Sequence, residues 1–162
     1  MKSIPSQIAF AAIAVTLAAA GRRNIPAVPI QDSPFGNQYW MVASATIHPA
    51  LDVDLDGKAD TDLLLLVPPC ERDDADRYLD DGTILTNRGP VNCDEDEERE
   101  EETGTWSYDP ATKTLVMEKY DGSQPVEAHL ESASAQQIVF VAKHRSSGAT
   151  HIIRTTLKTK KM

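Results

Sequence analysis

The chain has 162 residues, a formal net charge of −9 from 25 acidic and 16 basic side chains, and 6% aromatic residues. The excess of carboxylates argues against a nucleic-acid-binding protein, because such proteins neutralise phosphates with clustered Lys and Arg. The sequence also lacks the Gly-x-Ser-x-Gly, His-Glu-x-x-His and phosphate-binding glycine motifs of common enzyme classes. We therefore predict a protein without enzymatic activity.

The amino terminus predicts export. Lys2 is followed by an apolar run over residues 8–20 that ends in three alanines, which is the pattern of a cleaved signal peptide. The run is shorter than the roughly 20 apolar residues that a membrane-spanning helix needs. We therefore predict a signal peptide at residues 1–20, a periplasmic or extracellular location, and no transmembrane span in the mature chain. A retained membrane anchor and a buried helix are the alternative interpretations.

A Pro-rich segment separates this signal from the rest of the chain. Its prolines remove backbone donors and favour extended geometry in the residues before them, so the segment cannot be helical. We predict a linker at residues 21–35 and one domain at residues 36–158, which is long enough for a single core. A basic tail at residues 159–162 completes the chain.

From residue 38 onward, short runs rich in β-branched and aromatic residues alternate with turn sequences, which is typical of an antiparallel barrel or sandwich. Closure into a barrel removes both exposed sheet edges. We therefore predict an all-β, eight-stranded antiparallel up-and-down barrel. One short helical turn is predicted at residues 61–66, with Thr61 as its N-cap. The predicted strands cover residues 38–46, 77–79, 83–86, 103–108, 114–119, 126–130, 137–142 and 150–157.

An acidic loop follows the first predicted strand. Asp52, Asp54, Asp56 and Asp60 are spaced around a glycine in the way that the oxygen ligands of calcium loops are spaced. We predict that these carboxylates and the backbone carbonyl of Lys58 bind a structural calcium ion, because calcium accepts many flexible oxygen donors. A solvated polar turn without an ion is the alternative.

Cys70 and Cys93 are the two cysteines of the chain. In an exported protein a single pair most simply forms a disulfide, which would stabilise the fold by about 3 kcal/mol through its effect on the unfolded chain. Two free buried thiols are the alternative. The acidic residues 94–102 repel one another, so we predict a mobile solvated loop there, with a second cation site as the alternative.

Turn sequences predict two hairpins, one at Asp80-Asp81-Gly82 and one at residues 109–113. The glycine of the first supplies the positive φ that a tight hairpin turn requires. A Gly104-Thr105-Trp106 sequence precedes the second hairpin and places an aromatic side chain on a predicted strand.

The order of these motifs resembles the lipocalin-like domain family of small secreted bacterial proteins. The resemblance covers residues 36–158 and is carried by the acidic loop, the two cysteines, Asp81-Gly82-Thr83 and Gly104-Thr105-Trp106. It implies an up-and-down barrel, a signal sequence and, in many members, lipid attachment. The chain differs from the lipid-attached members because Gly21, rather than a cysteine, follows the small residues of the signal, so no lipid anchor is predicted.

Four aromatic side chains, Trp40, Trp106, Tyr108 and Phe140, are expected to line a cavity inside the barrel. A filled core is the alternative, because eight strands leave room for at most one small ligand. We predict an exported binding protein for a small hydrophobic molecule. The alternative function is an envelope-associated structural or protein-interaction module with a filled barrel and no ligand.

Overall fold

A computed structural model of the protein describes residues 33–35, 37–146 and 148–161. The predicted signal peptide at residues 1–20 and most of the predicted linker lie outside these residues. The described part of the chain forms nine β-strands. They are β1 (Tyr39–Leu51), β2 (Asp60–Asp62), β3 (Ala75–Tyr78), β4 (Thr83–Asn87), β5 (Glu100–Asp109), β6 (Thr114–Lys119), β7 (Val126–Ala133), β8 (Gln137–Ser146) and β9 (Ala149–Lys160).

Eight of these strands close into a barrel. β1 pairs with β3, each strand from β3 to β8 pairs with the next one, and β9 returns to pair with β1. The closing pair is long, because its register extends from Tyr39 opposite Lys160 to His48 opposite Ile152. All pairs are antiparallel, so the predicted eight-stranded up-and-down barrel is confirmed. Closure pairs the edges that an open sheet would expose.

The ninth strand, β2, was not predicted and lies outside this closed cycle. It pairs with the far half of β1, where Thr46 lies opposite Asp62 and Leu51 lies opposite Asp60. The acidic loop is therefore the connection between two paired strands. Its sequence contains few of the β-branched and aromatic residues that mark strands, so only the pairing with β1 makes residues 60–62 extended.

The predicted helical turn is confirmed as a 3₁₀ turn at Leu63–Leu66, and a second 3₁₀ turn follows at Pro69–Glu71. The predicted N-cap Thr61 is wrong, because Asp62 takes this position. The carboxylate of Asp62 accepts a hydrogen bond from the amide of Leu64 at 3.0 Å. Thr61 lies one residue before the N-cap position.

Both predicted hairpins are confirmed. Gly82 adopts φ of 89° between β3 and β4, and Asp81 Oδ1 accepts a hydrogen bond from the amide of Thr83 at 2.9 Å. The turn between β5 and β6 repeats this arrangement, because Asp109 Oδ1 accepts from the amide of Ala111 at 2.9 Å. An aspartate carboxylate bonded to an amide two residues later is an Asx turn, which explains why these sequences reverse the chain.

The barrel extends beyond its predicted boundaries at both ends. Phe35, assigned to the linker, is completely buried, and the indole N–H of Trp40 donates to its carbonyl at 2.7 Å. The aromatic ring of Phe35 lies inside the barrel because this hydrogen bond ties the segment to the start of β1. At the other end, β9 continues to Lys160, which pairs with Tyr39, so the predicted tail at residues 159–162 is partly strand.

Candidate functional site

Aromatic side chains fill one half of the barrel interior, called here the aromatic half. Phe35 lies at its centre, with its ring centroid 4.7 Å from that of Tyr78, 5.3 Å from Trp106, 5.8 Å from Tyr108 and 5.5 Å from Phe140. The tilted, edge-on and stacked geometries are those that favour aromatic pairs. Three of the predicted ligand-binding residues, Trp106, Tyr108 and Phe140, therefore pack against Phe35, which occupies the space that a ligand would need.

The Gly-x-Trp sequence and the first hairpin form one structural unit in this half. A Cβ atom on Gly104 would lie 2.3 Å from the carbonyl oxygen of Glu118, so the neighbouring strand leaves room only for glycine. Two residues later, the indole N–H of Trp106 donates to the carbonyl of Leu79 at 2.9 Å, and its amide donates to the carbonyl of Gly82 at 2.8 Å. The tryptophan thereby ties β5 to the β3–β4 turn.

The other half of the interior is open and is called here the polar half. It contains a cavity of about 630 Å³, which lies within the range of about 300–1,000 Å³ that is typical of small-molecule sites. Strand register explains its position: Asp76 and Glu101 both pair with Thr86, whereas Tyr78 of the aromatic half pairs with Ile84. Tyr78 lies at the boundary between the two halves, because its ring packs against Phe35 and it also lines the cavity. Of the four predicted ligand-binding residues, Trp40 is the one that lines this cavity.

Part of the cavity wall comes from the connection between β2 and β3. Leu63 and Leu64 of the first 3₁₀ turn, together with Val67, line the cavity and add apolar surface to it. The guanidinium of Arg72 donates to the carbonyls of Val67 and Leu65 at 2.8 and 3.0 Å and fixes this connection. The cavity is therefore covered on one side by a segment that is not part of the barrel.

A network of four polar side chains lines the barrel wall of the cavity. The Thr86 hydroxyl donates to Asp76 Oδ1 at 2.5 Å and lies 2.6 Å from the hydroxyl of Thr103. The ammonium of Lys119 donates to Asp76 Oδ2 at 3.1 Å and to Thr103 Oγ1 at 3.2 Å. The side chains of Asp76 and Lys119 are 27% and 33% exposed, so the ion pair retains contact with water and avoids the cost of complete desolvation.

Arg88 holds three carboxylates at the rim of the cavity. Its guanidinium contacts Asp74 Oδ2 at 2.9 Å and Glu97 Oε1 at 3.3 Å, and it also pairs with Glu101. Burial raises the pKa of the Asp74 carboxyl, and the hydrogen bond and charge of Arg88 oppose this rise. The second carboxylate oxygen of Asp74 is buried and has no hydrogen-bond partner among the described residues. Burial therefore disfavours the ionised form of the Asp74 carboxyl at the rim.

The predicted disulfide between Cys70 and Cys93 is confirmed, with their Cα atoms 5.2 Å apart. It joins the second 3₁₀ turn to the loop that precedes β5. Close packing accompanies it, because a Cβ atom on Gly89 would lie 2.3 Å from a carboxylate oxygen of Asp73. The disulfide and this contact attach the connection that covers the cavity to the β4–β5 side of the barrel.

The acidic segment at residues 94–102 makes more contacts than the predicted solvated loop would make. Glu97 accepts a hydrogen bond from the amide of Cys93 at 2.8 Å and lies beside Arg88. The last three residues of the segment already belong to β5, which begins at Glu100. Charge repulsion within the segment is offset because Arg88 neutralises some of its carboxylates.

The structure brings three of the predicted metal ligands together. Asp52, Asp54 and Asp60 place carboxylate oxygens within 4.8 Å of one another, so this cluster could hold a metal ion. One oxygen of each accepts a loop amide at 2.9–3.2 Å, and Oδ1 of Asp52 is buried without a partner among the described residues. Asp56 is not part of the cluster, because its carboxylate accepts from the amide and the ammonium of Lys58.

Sequence reasoning missed the polar network of the cavity because it selected only aromatic residues. Strand alternation carried a usable signal, since inward positions recur every second residue. Thr86 lies two residues after the buried Ile84, and Lys119 lies two residues after Met117, which packs against the core. A polar residue two positions from an inward apolar residue on the same strand also points inward, and this pattern predicts a partly polar interior.

No protein-family model matches the chain, and no match is found among curated proteins or solved structures. The resemblance to the lipocalin-like domain family therefore stays a prediction from the motifs of this sequence. Among residues 33–35, 37–146 and 148–161, no helix has the length and apolar character needed to cross a membrane.

Proposed function

We propose that the protein is an exported, non-enzymatic lipocalin-like binding protein that takes up a small hydrophobic molecule. The observation that carries this proposal is the cavity of about 630 Å³ in the polar half. Trp40, Leu63, Leu64 and Leu157 supply an apolar wall against which a ligand can pack. The ligand occupies the part of the interior that Phe35 leaves free.

The disulfide supports the exported location. Bonds such as Cys70–Cys93 persist in the periplasm and outside cells, and they are rare in the reducing cytosol. A periplasmic or extracellular protein with an internal cavity is well suited to carry or sense a molecule that water dissolves poorly. Mass spectrometry of the amino terminus of the protein from its own host tests export, because cleavage near residue 20 is expected.

Native mass spectrometry of protein from its own host tests ligand binding, and we expect a bound small molecule. An Ala45→Trp substitution adds a large side chain to the cavity wall, since Ala45 lines the cavity, and should abolish retention. Ser44→Trp is the matched control, because Ser44 is exposed and precedes Ala45 on the same strand. Repeated isolation of protein without a ligand would contradict the proposal.

We further propose that the acidic loop binds a structural calcium ion through Asp52, Asp54 and Asp60. Each carboxylate uses one oxygen to order the loop and keeps the other available. Several carboxylate and carbonyl oxygen donors suit calcium better than magnesium, which demands octahedral geometry and retains its water. The Lys58 carbonyl and water would complete the shell.

Calorimetric titration of chelator-treated protein tests the calcium site. We expect Asp54→Asn to abolish calcium binding, whereas Asp56→Asn, which removes a charge from a side chain outside the cluster, should retain it. Calcium at 100 times its Kd should stabilise the fold by about 2.7 kcal/mol. An unchanged melting temperature and no heat of binding at millimolar calcium would favour the solvated polar turn.

The filled aromatic half supports a second candidate function, an envelope-associated structural or protein-interaction module. Leu55 and Leu65 are 85% and 68% exposed and offer apolar contacts beside the acidic loop. In that case, cross-linking in the host envelope should recover a partner protein, and Leu65→Ser should weaken the cross-link. Failure to recover any partner would contradict this candidate.

A further inference from the structure

Two histidines face each other across the β8–β9 hairpin and are called here the histidine pair. His144 of β8 lies directly opposite His151 of β9, and their ring centroids are 6.4 Å apart. Neither residue lines the cavity that carries the proposed function, so the pair is independent of that proposal. Imidazole nitrogens are ligands of Zn²⁺, Cu²⁺ and Ni²⁺, and the pair therefore has the ligand chemistry of a transition-metal site.

Strand register places the histidine pair on the inner face of the barrel wall. The pairing of β8 with β9 has no register shift, and successive side chains of a strand alternate between its two faces. His144 therefore shares a face with Phe140, and His151 shares a face with Leu157. Both of these apolar residues are buried in the core, so the pair continues the inward-facing rows toward the hairpin turn.

A hydrogen bond fixes the tautomer of His151. This side chain is 5% exposed, and its Nδ1 lies 2.7 Å from the carbonyl oxygen of Pro49. A carbonyl oxygen only accepts, so Nδ1 donates, and the lone pair of the neutral ring is on Nε2. Nε2 has no hydrogen-bond partner among the described residues and is not fully buried, so it keeps contact with solvent. Metal-binding histidines show this arrangement, in which one ring nitrogen donates to a carbonyl and the other binds the ion.

His144 supplies a second nitrogen within reach of the same ion. Its side chain is exposed and forms no hydrogen bond with the described residues, so its ring is free to turn. With metal–nitrogen bonds of about 2.0–2.1 Å, two imidazoles on one ion place their ring centroids roughly 4.5–6.4 Å apart. The observed separation of 6.4 Å lies at the upper end of this range, and rotation of His144 about its side-chain bonds brings the rings closer.

The face of the hairpin that carries the histidine pair holds no positive charge among its described neighbours. The pairs on either side are Ala142 with Ile153 and Ser146 with Ala149, and all four side chains are uncharged. The lysine and the arginine that flank His144 in the sequence lie on the opposite face of β8. A cation between the two rings would therefore not be repelled by a neighbouring basic side chain of the hairpin.

We propose that His144 and His151 bind one divalent transition-metal ion at the β8–β9 hairpin. Nε2 of His151 and one ring nitrogen of His144 are the protein ligands, and water occupies the remaining positions. Cu²⁺ binds more tightly than Zn²⁺, which is the general order of affinity at nitrogen sites. The acidic loop is a different kind of site, because its carboxylate oxygens suit calcium.

Titration of the disulfide-bonded protein with Cu²⁺ tests the proposal, with calorimetry and electron paramagnetic resonance as readouts. Excess calcium is present to occupy the acidic loop. We expect a Cu²⁺ site whose spectrum shows coupling to two imidazole nitrogens, and binding of Zn²⁺ at least about tenfold weaker than that of Cu²⁺. A spectrum with oxygen ligands only, or no binding of either metal, would overturn the proposal and leave the proposed function of the cavity untouched.

Histidine variants locate the binding of Cu²⁺. His144→Gln replaces an exposed side chain, so the fold should persist, and it should weaken Cu²⁺ at least about tenfold and reduce the coupled nitrogens from two to one. His129→Gln is the matched control, because His129 is an exposed histidine on the neighbouring strand β7, and it should change neither readout. His151→Gln should act like His144→Gln, with circular dichroism to verify folding. Unchanged Cu²⁺ affinity in His144→Gln would overturn the proposal.

Discussion

The two halves of the barrel interior share strands β3 and β5 and differ in polarity and in how they are filled. In the aromatic half, four rings pack around the fully buried side chain of Phe35. In the polar half, two residues away along the strands, Asp76, Thr86 and Lys119 enclose a cavity. The comparison teaches that strand alternation selects which side chains point inward, whereas their chemistry at each level decides whether the interior is filled or open.

The two halves are also held together in different ways. Dispersion and apolar burial stabilise the aromatic half, since the rings of Phe35, Trp106 and Phe140 are at most 5% exposed. Charged groups in the polar half stay partly hydrated, because the free energy of complete desolvation would exceed the free energy gained by ion pairing. A disulfide and the Arg88 ion pairs stabilise the rim of this half instead. We therefore expect stability to depend mainly on one half and binding on the other.

The largest expected effect comes from removing the centre of the aromatic half. Phe35→Ala should lower the free energy of unfolding by about 3–5 kcal/mol, because it removes a fully buried ring and leaves a cavity. Urea denaturation followed by circular dichroism measures this loss. Tyr120→Ala is the control, since Tyr120 is 61% exposed, and it should change stability by less than about 0.5 kcal/mol. A similar loss of stability in both variants would show that burial of Phe35 contributes no more to the fold than an exposed ring does.

A smaller effect is expected from the cross-link of the polar half. Replacing both Cys70 and Cys93 by Ala should lower the free energy of unfolding by about 3 kcal/mol, because the unfolded chain gains conformational freedom. Ligand affinity should fall together with stability in this variant, since the segment covering the cavity loses its attachment. Phe35→Ala should reduce stability without this loss of affinity in the folded fraction. Equal loss of affinity in both variants would remove the functional distinction between the halves.

The smallest expected effect concerns pH at the cavity rim. The pKa of Asp74 is raised in the folded state, mainly by burial, so the folded protein holds this proton to a higher pH than the unfolded chain does. The resulting stabilisation is complete below the ordinary pKa of 3.8 and is lost as pH rises through the raised folded pKa. Urea denaturation between pH 3 and 7 should therefore show a steeper decline toward higher pH in the native protein than in Asp74→Asn. The opposite slope difference would show that Arg88 outweighs burial.

Local chemistry determined much of this protein from the sequence alone. Runs rich in β-branched and aromatic residues, turn sequences at residues 80–82 and 109–113, and one pair of cysteines predicted an antiparallel barrel, its two hairpins and its disulfide. These features depend on residues close in sequence, or, for the disulfide, on there being a single possible pairing. The cluster of Asp52, Asp54 and Asp60 was foreseen for the same reason, because its members share one short loop.

Only the tertiary structure decided how the interior is used. Phe35 belongs to a Pro-rich segment with no strand pattern, and its ring is buried among side chains that β3, β5 and β8 bring together. Asp76 and Lys119 are far apart in sequence, and they meet because barrel register brings β3 and β6 to one cavity. Such contacts depend on the packing of the whole barrel, so no local pattern contains them.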